Sequence, residues 1–167
     1  MQSEPVTLEQ LLASRDARHA KQQALLADYE GCALVCLTVI VPGPVKRNAD
    51  SLAVAHAAVE ALAEAFGSRP VCTDDLPTGF EAYLPTSLPA DEAKRIAVRV
   101  EDTHPLGRLF DVDVLLPDAT PLSRHDIGEQ PRKCLLCDRE ARFCMRNHSH
   151  TTDELLQHIH HLVASYD

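Results

Sequence analysis

The pattern of apolar and polar residues along the chain predicts helices that alternate with short strands. Leucines at helical spacing follow Thr7, a residue type that often caps a helix, and the β-branched apolar run between Gly31 and Pro42 is typical of a strand buried on both faces. Helices are predicted over residues 8–28, 50–66, 89 to between 97 and 100, and 151–165, and strands over 33–41, 71–73, 79–84 and 109–116. This order predicts an α+β fold, a single domain over residues 1–167 in which helices pack against a small mixed sheet.

The segment 117–149 differs from the rest of the chain. It contains few apolar residues, many charges and chain-breaking prolines, so we expect it to be irregular and to be ordered by something other than hydrophobic burial. Within it, residues 124–146 carry six basic side chains against four acidic ones. Such a locally basic stretch is typical of a site that binds phosphates or an acidic partner. The alternative is a solvated loop of mixed charge.

Composition narrows the class of protein. The 167 residues are 45% hydrophobic and 25% charged, which is typical of a globular domain, and the net charge of −9 argues against sequence-independent binding to nucleic acid. No apolar run approaches the roughly 20 residues that a membrane span needs, and the start of the sequence lacks a secretory signal pattern. Together with six cysteines, these features predict a cytoplasmic protein that binds neither nucleic acid nor a membrane.

Two aspartates on the last predicted strand are the most informative candidates for chemistry. Successive side chains of a strand point to opposite faces, so Asp111 and Asp113 share one face and their Cα atoms lie roughly 6–7 Å apart. Two carboxylates at this spacing can hold Mg²⁺, which takes oxygen ligands and is often shared with substrate phosphates. The alternative is a solvent-facing strand whose acids serve solubility.

Gly107 and Arg108 come shortly before the two aspartates. A glycine allows the backbone to approach a ligand closely, and an arginine can bind phosphate oxygens through a bidentate fork. Both residue types therefore favour a phosphate-binding function for this stretch.

A second group of residues has the composition of a metal site. Cys134, Cys137, Cys144 and His148 give a C-x2-C-x6-C-x3-H pattern, the ligand types and number of a closed tetrahedral zinc site. Bound Zn²⁺ would also explain how the charged segment 117–149 becomes ordered, since metal-binding free energy serves as folding free energy. The alternatives are free thiols packed under the loop and a redox pair.

Several blocks of the sequence together resemble one enzyme family. They resemble the citrate lyase holo-acyl-carrier-protein synthases, also called apo-citrate lyase phosphoribosyl-dephospho-CoA transferases, from about residue 8 to residue 160. The blocks are Arg15–Arg18 with Gln22, Pro42–Lys46, His104–Val114, Ser123 with Arg124, Pro131–Cys137 and Arg146–His148.

The resemblance implies a nucleotidyltransferase with a nucleotidyltransferase-like fold. Such an enzyme moves a phosphoribosyl-dephospho-CoA group from triphosphoribosyl-dephospho-CoA to a serine of the apo acyl carrier subunit of citrate lyase and releases pyrophosphate. By this resemblance Asp111 and Asp113 are catalytic and hold Mg²⁺ across the triphosphate, and Gly107 and Arg108 lie against the phosphates. Further candidates for binding the substrate are Lys46, Arg124 and Arg132.

Three questions stay open at the level of the sequence. A third carboxylate for the metal site has four candidates, which are Glu81, Glu101, Asp102 and Asp118. The same chemistry also suits a different carrier, such as that of malonate decarboxylase. The alternative to an enzyme is a non-catalytic, zinc-stabilised module that binds an acidic carrier protein through residues 124–146.

Overall fold

One five-stranded sheet lies at the centre of the computed structural model, which describes residues 4–166. The strand order is β2-β3-β1-β4-β5, and each of the four pairings is antiparallel. The α+β class is confirmed, but the sheet is antiparallel rather than mixed, because a strand's apolar pattern does not specify its direction. The strands are β1 (Ala33–Val39), β2 (Cys72–Leu76), β3 (Gly79–Thr86), β4 (Phe110–Leu115) and β5 (Pro121–Leu122).

The helices of the described residues agree with the predicted pattern, except that the third helix continues to Thr103, beyond the predicted end between 97 and 100, and that the charged segment contains a further helix. Thr7 caps the first helix, its side chain accepting a hydrogen bond from the backbone of Gln10. The segment predicted to be irregular contains an additional short helix, α4. No helix in residues 4–166 is apolar over a length that would cross a membrane. The helices are α1 (Leu8–Asp28), α2 (Ala49–Phe66), α3 (Ala90–Thr103), α4 (Ala141–Asn147) and α5 (Thr152–Ala164).

The main hydrophobic core lies on one face of the sheet. Val35 and Leu37 of β1 pack there with Val112 and Val114 of β4, under helices α2, α3 and α5. The apolar residues of these helices that complete the core include Val54, Ala58, Leu62, Ala93, Ala97 and Ile159. Burial of this face provides the apolar area on which the stability of the domain depends.

The opposite face of the sheet is covered by α1 and is only partly apolar. Leu26 of α1 packs against Leu34, Cys36 and Tyr83 in a small second core, so β1 is buried on both faces as predicted. Leu26 is the only buried residue of α1, and the leucine Leu12 near its start is 49% exposed. The middle of α1 contacts the sheet through the polar side chains of Arg18 and Lys21 instead.

Side chains of α3 cap the part of the β4 edge that β5 does not cover. The short strand β5 pairs with β4 only at Val114 and Leu115, which leaves Val112 without a backbone partner on that side. The carboxylate of Glu101 accepts a hydrogen bond from Val112 N at 3.0 Å, and Lys94 Nζ donates to Val112 O at 3.1 Å. Both side chains are buried, and they satisfy backbone groups that a neighbouring strand would otherwise occupy.

Candidate functional site

Asp111 and Asp113 project from the same face of β4, the face that α1 partly covers. The alternation predicted for this strand is confirmed, since both carboxylates are exposed while Phe110, Val112 and Val114 are buried. Asp111 lies opposite Thr38 of β1, whose hydroxyl is 3.5 Å from the Asp111 carboxylate, and Asp113 lies opposite Cys36. The two acids are therefore accessible, adjacent and held on one rigid strand, as shared ligation of a cation requires.

The surroundings of Asp113 disfavour its negative charge. Desolvation by the surrounding chain raises the pKa of this carboxyl above its ordinary value, and the neighbouring charge of Asp111 raises it further. Two carboxylates that repel each other in a partly desolvated place are stabilised by a bound divalent cation. The electrostatics of the pair thus fit a metal, although the same residues cost the fold some stability.

We expect Asp113→Asn to raise the melting temperature at pH 7. Because the pKa of Asp113 is raised in the folded protein, its ionised form is destabilising above that pKa, and asparagine removes the charge. The gain should be about 1–2 °C, since the side chain reaches solvent, which screens part of the effect. Thermal unfolding from pH 4 to 8 without divalent cations measures it, and the gain should shrink as the pH falls and Asp113 itself becomes protonated. A lower melting temperature at pH 7 would contradict this reading of the site.

A polar cluster that connects α1 to the sheet lies on the same face. The Nε of Arg18 donates to the carboxylate of Glu81 at 3.0 Å, and the hydroxyl of Tyr83 donates to the other oxygen of Glu81 at 2.7 Å. Beside them, Lys21 forms an ion pair with Asp74. The sequence pointed to Arg18 only as part of a resembling block, because a salt bridge between residues 63 positions apart leaves no local pattern.

Of the four candidates for a third carboxylate, only Glu81 shares a face with the aspartate pair. Glu101 and Asp102 belong to α3 and form ion pairs with Arg124, at 2.8 and 3.0 Å. Asp118 lies in a turn, where its side chain accepts from the backbone of Thr120. The structure thus separates Glu81 from the other three by position.

Two of the predicted phosphate ligands, Arg124 and Arg132, are engaged by the protein itself. The terminal nitrogens of Arg124 bond to Glu101 and Asp102, and those of Arg132 bond to the carbonyl oxygens of Phe110, Gly107 and Arg108. A phosphate would need these same nitrogens, so we assign both arginines to stabilising the edge of β4. Local charge alone could not distinguish this arrangement from a phosphate site.

The remaining predicted substrate ligands occupy different places. Gly107 is buried against the last turn of α3, where an added Cβ would overlap the carbonyl oxygen of Glu101 and lie 2.7 Å from that of Val100. The close approach at this glycine is therefore to the chain itself and not to a ligand. Arg108 donates through Nε to the carbonyl of Lys133, and Lys46 donates to the carbonyl of Val41 at 2.7 Å. The terminal guanidinium nitrogens of Arg108 have no hydrogen-bond partner among residues 4–166.

The cysteine cluster predicted from the sequence is assembled in space, with one change of ligand. Cys134, Cys137, Cys144 and His150 each offer a ligand atom, and these atoms lie within 4.8 Å of one another. The predicted fourth ligand, His148, was wrong. It ends α4 with a left-handed backbone (φ 48°) and is exposed, and this turn carries the chain back so that the next histidine reaches the thiols.

Two observations on the cluster fit a bound metal ion. The Nε2 of His150 is buried and has no hydrogen-bond partner among residues 4–166, while its Nδ1 lies 3.8 Å from the carboxylate of Glu154. A hydrogen bond from the backbone of Arg139, together with the nearby side chains of His150 and Arg139, lowers the pKa of Cys137 to about 6. A thiolate and an unpaired imidazole nitrogen are the donor states that a metal requires.

Comparison with known proteins connects this arrangement to one family. The family model described as "Apo-citrate lyase phosphoribosyl-dephospho-CoA transferase" matches residues 6–166. The chain belongs to this family. A protein from Escherichia coli O1:K1 that carries this name is 35% identical over 97% of the chain and 91% of its own length. A protein of the same name from Shigella flexneri serotype 5b is 36% identical over 97% of the chain and 91% of its own length.

A third relative extends the comparison to a distant organism. A protein of Streptococcus pyogenes serotype M18, named a probable apo-citrate lyase phosphoribosyl-dephospho-CoA transferase, is 34% identical over 98% of the chain and 88% of its own length. The match to the apo-citrate lyase phosphoribosyl-dephospho-CoA transferase family thus includes α1, the aspartate pair and the cysteine cluster. The family predicted from resembling blocks is confirmed.

Proposed function

We propose that this protein transfers a phosphoribosyl-dephospho-CoA group from triphosphoribosyl-dephospho-CoA to a serine of the apo acyl carrier subunit of citrate lyase. The single observation that carries the proposal is the exposed pair Asp111 and Asp113 on one face of β4, in a chain of the apo-citrate lyase phosphoribosyl-dephospho-CoA transferase family. The alternative, a non-catalytic module, would not require this pair of aspartates.

The reaction is a displacement at phosphorus. The serine oxygen of the carrier forms a bond to the α-phosphorus of the precursor, and the bond from that phosphorus to the oxygen bridging to the β-phosphate breaks. Pyrophosphate leaves with the bonding electron pair, and the serine proton is released to solvent. Because the nucleophile comes from the carrier and the leaving group from the precursor, the protein needs only to position both and to neutralise charge.

The residues of the site have separate tasks in this proposal. Asp111 and Asp113 would hold Mg²⁺, which when bound supplies a positive charge that stabilises the triphosphate and the leaving pyrophosphate. Arg108, whose terminal nitrogens are free among residues 4–166, is the candidate phosphate ligand at the start of β4. Lys46 remains a predicted ligand in the loop between β1 and α2.

We also propose that the ion of the Cys134, Cys137, Cys144 and His150 cluster is Zn²⁺ in a structural site. Three thiols and one imidazole leave no open position in a tetrahedral geometry, and this ligand set favours zinc over magnesium or calcium. Arg132 and Lys133, directly before Cys134, bond to Phe110 and Arg108 at the start of β4. The zinc site would therefore hold this segment against the strand. The cytoplasm remains the predicted compartment, and its reducing conditions suit six unpaired cysteines.

Mass spectrometry of the carrier tests the proposed function. Apo carrier subunit of citrate lyase is incubated with triphosphoribosyl-dephospho-CoA, Mg²⁺ and the protein, and we expect its mass to increase by one phosphoribosyl-dephospho-CoA group on a single serine. Omitting Mg²⁺, or replacing that serine by alanine, should leave the mass unchanged. If only the carrier of malonate decarboxylase were modified, the chemistry would stand and the assigned partner would be wrong. No modification of either carrier would overturn the proposal.

A further inference from the structure

Arg18 extends from α1 to the sheet face that carries the two aspartates. Only its Nε is engaged, in the bond to Glu81, and its terminal nitrogens have no hydrogen-bond partner within residues 4–166. A guanidinium has five N–H donors, so four of them remain available. The Arg18 side chain is 31% exposed, which places a free, planar fork of donors at the border between protein and solvent.

Glu81 and Tyr83 hold Arg18 in place. The Glu81 side chain is 6% exposed, and each of its carboxylate oxygens has a partner, one in Arg18 and the other in the hydroxyl of Tyr83. Burial and the negative charge of Glu81 raise the pKa of Tyr83, so its hydroxyl stays protonated and continues to donate. A buried carboxylate with both oxygens occupied is an anchor for an arginine rather than a ligand for a metal.

The strand register places this anchor beside the aspartate pair. Glu81 lies opposite Thr38, and Thr38 lies opposite Asp111, so the three side chains form one row across β3, β1 and β4. With neighbouring strands about 4.8 Å apart, roughly 10 Å separates the backbones of Glu81 and Asp111. The positive charge of Arg18 also opposes the desolvation that raises the pKa of Asp113, which agrees with its position next to the pair.

Of the arginines near β4, Arg108 is the candidate phosphate ligand before the strand, whereas Arg124 and Arg132 supply no free donors to this face. Arg124 and Arg132 use their terminal nitrogens within the protein, on the side of β4 where α3 lies. A metal held by Asp111 and Asp113 would neutralise part of the charge of a polyphosphate. The remaining negative charge would need hydrogen-bond donors on the other side of the phosphate chain. Among residues 4–166, the terminal nitrogens of Arg18 are free at the Glu81 end of the row across β3, β1 and β4.

We propose that Arg18 binds the phosphate chain of the substrate opposite the metal-bearing aspartates, and that Glu81 and Tyr83 are its positioning residues. The inference rests on the proposed phosphoryl transfer and adds the group that would bind non-bridging phosphate oxygens from the α1 side. The ligand class is a diphosphate or triphosphate ester complexed with a divalent cation. It also gives a function to the polar middle of α1, which hydrophobic packing does not explain.

Binding of magnesium pyrophosphate tests the role of Arg18 without any turnover. Isothermal titration calorimetry of the full chain with pyrophosphate and Mg²⁺ should give an affinity that falls at least about tenfold in Arg18→Lys, which keeps the charge but loses the fork. Arg18→Ala should lose about a hundredfold. The matched controls are Arg99→Lys and Arg99→Ala on the exposed face of α3, where we expect no change.

Chemical rescue separates a ligand from a residue that merely supports the fold. Guanidinium at millimolar concentration should restore a measurable part of the pyrophosphate affinity in Arg18→Ala, whereas ethylammonium should not. Tyr83→Phe and Glu81→Gln should weaken pyrophosphate binding several-fold in proteins that still contain Arg18, with circular dichroism spectra like that of the unmodified protein. Guanidinium should not improve these two variants, because the guanidinium group is present and only its position is altered.

The outcome is independent of the carrier experiment. If the unmodified protein modifies the carrier but Arg18→Lys and Arg18→Ala bind magnesium pyrophosphate as the Arg99 variants do, the role of Arg18 is overturned and the proposed function stands. If no carrier is modified, the proposed function fails whatever the calorimetry shows. Loss of binding in Arg18→Ala without rescue by guanidinium would also overturn the proposal, since a structural defect would then explain the loss.

Discussion

Transfer of the prosthetic group should fall by at least about a thousandfold in Asp111→Asn and in Asp113→Asn. Asparagine keeps the size of the side chain but removes the charge that holds a divalent cation, and a single remaining carboxylate is a weak Mg²⁺ ligand. The two residues are adjacent ligands of one proposed ion, so the double variant should be little worse than either single one. Both acids are exposed, and their replacement should therefore leave the fold intact.

The same mass measurement that follows carrier modification checks this result. Asp28→Asn, an exposed acid at the end of α1, serves as the matched control and should transfer at the normal rate. Circular dichroism and thermal unfolding should show folded proteins throughout, with Asp113→Asn no less stable than the unmodified chain. Near-normal transfer by both aspartate variants would remove the metal-dependent mechanism.

Loss of zinc should be the second large effect. His150→Ala and Cys144→Ser each remove one ligand from the cluster, and we expect the purified proteins to contain less than about a tenth of the zinc of the unmodified protein. Losing a structural metal should lower the free energy of unfolding by at least about 3 kcal/mol. Transfer should fall as well. Arg132 and Lys133 directly precede Cys134 and bond to Phe110 and Arg108 at the start of β4, so loss of the zinc site should disturb the strand that carries the aspartates.

The histidine pair provides a sharp control for this prediction. His148→Ala changes the exposed residue that ends α4, and this variant should keep its zinc and most of its stability. Elemental analysis by mass spectrometry and thermal unfolding with and without a chelator measure both quantities. Equal zinc content in His148→Ala and His150→Ala, or no zinc in the unmodified protein, would contradict the assignment.

The parts of the structure that the sequence predicted are those governed by local periodicity. The period of two in β4 placed Asp111 and Asp113 on one face, and helical spacing with Thr7 as cap gave α1 its correct bounds. The almost uninterrupted apolar run of β1 predicted burial on both faces, and helices do cover both sides of that strand. Each of these features depends on neighbours in the chain.

The parts that the sequence did not predict depend on contacts between distant residues. The family resemblance suggested Arg124 and Arg132 as phosphate ligands, but only the fold shows that Glu101 and backbone carbonyls engage them. The spacing of the cysteines gave the ligand types, whereas the choice of His150 depends on the left-handed turn at His148. Glu81 carried no local signal that would associate it with Arg18.

The capped edge of β4 limits the addition of a further strand from another polypeptide. An uncovered sheet edge allows another polypeptide to pair with it by β-augmentation. Because the backbone N–H and C=O of Val112 already bond to Glu101 and Lys94, another strand cannot form hydrogen bonds with them at that position. Edge-paired self-association through this position is thereby disfavoured.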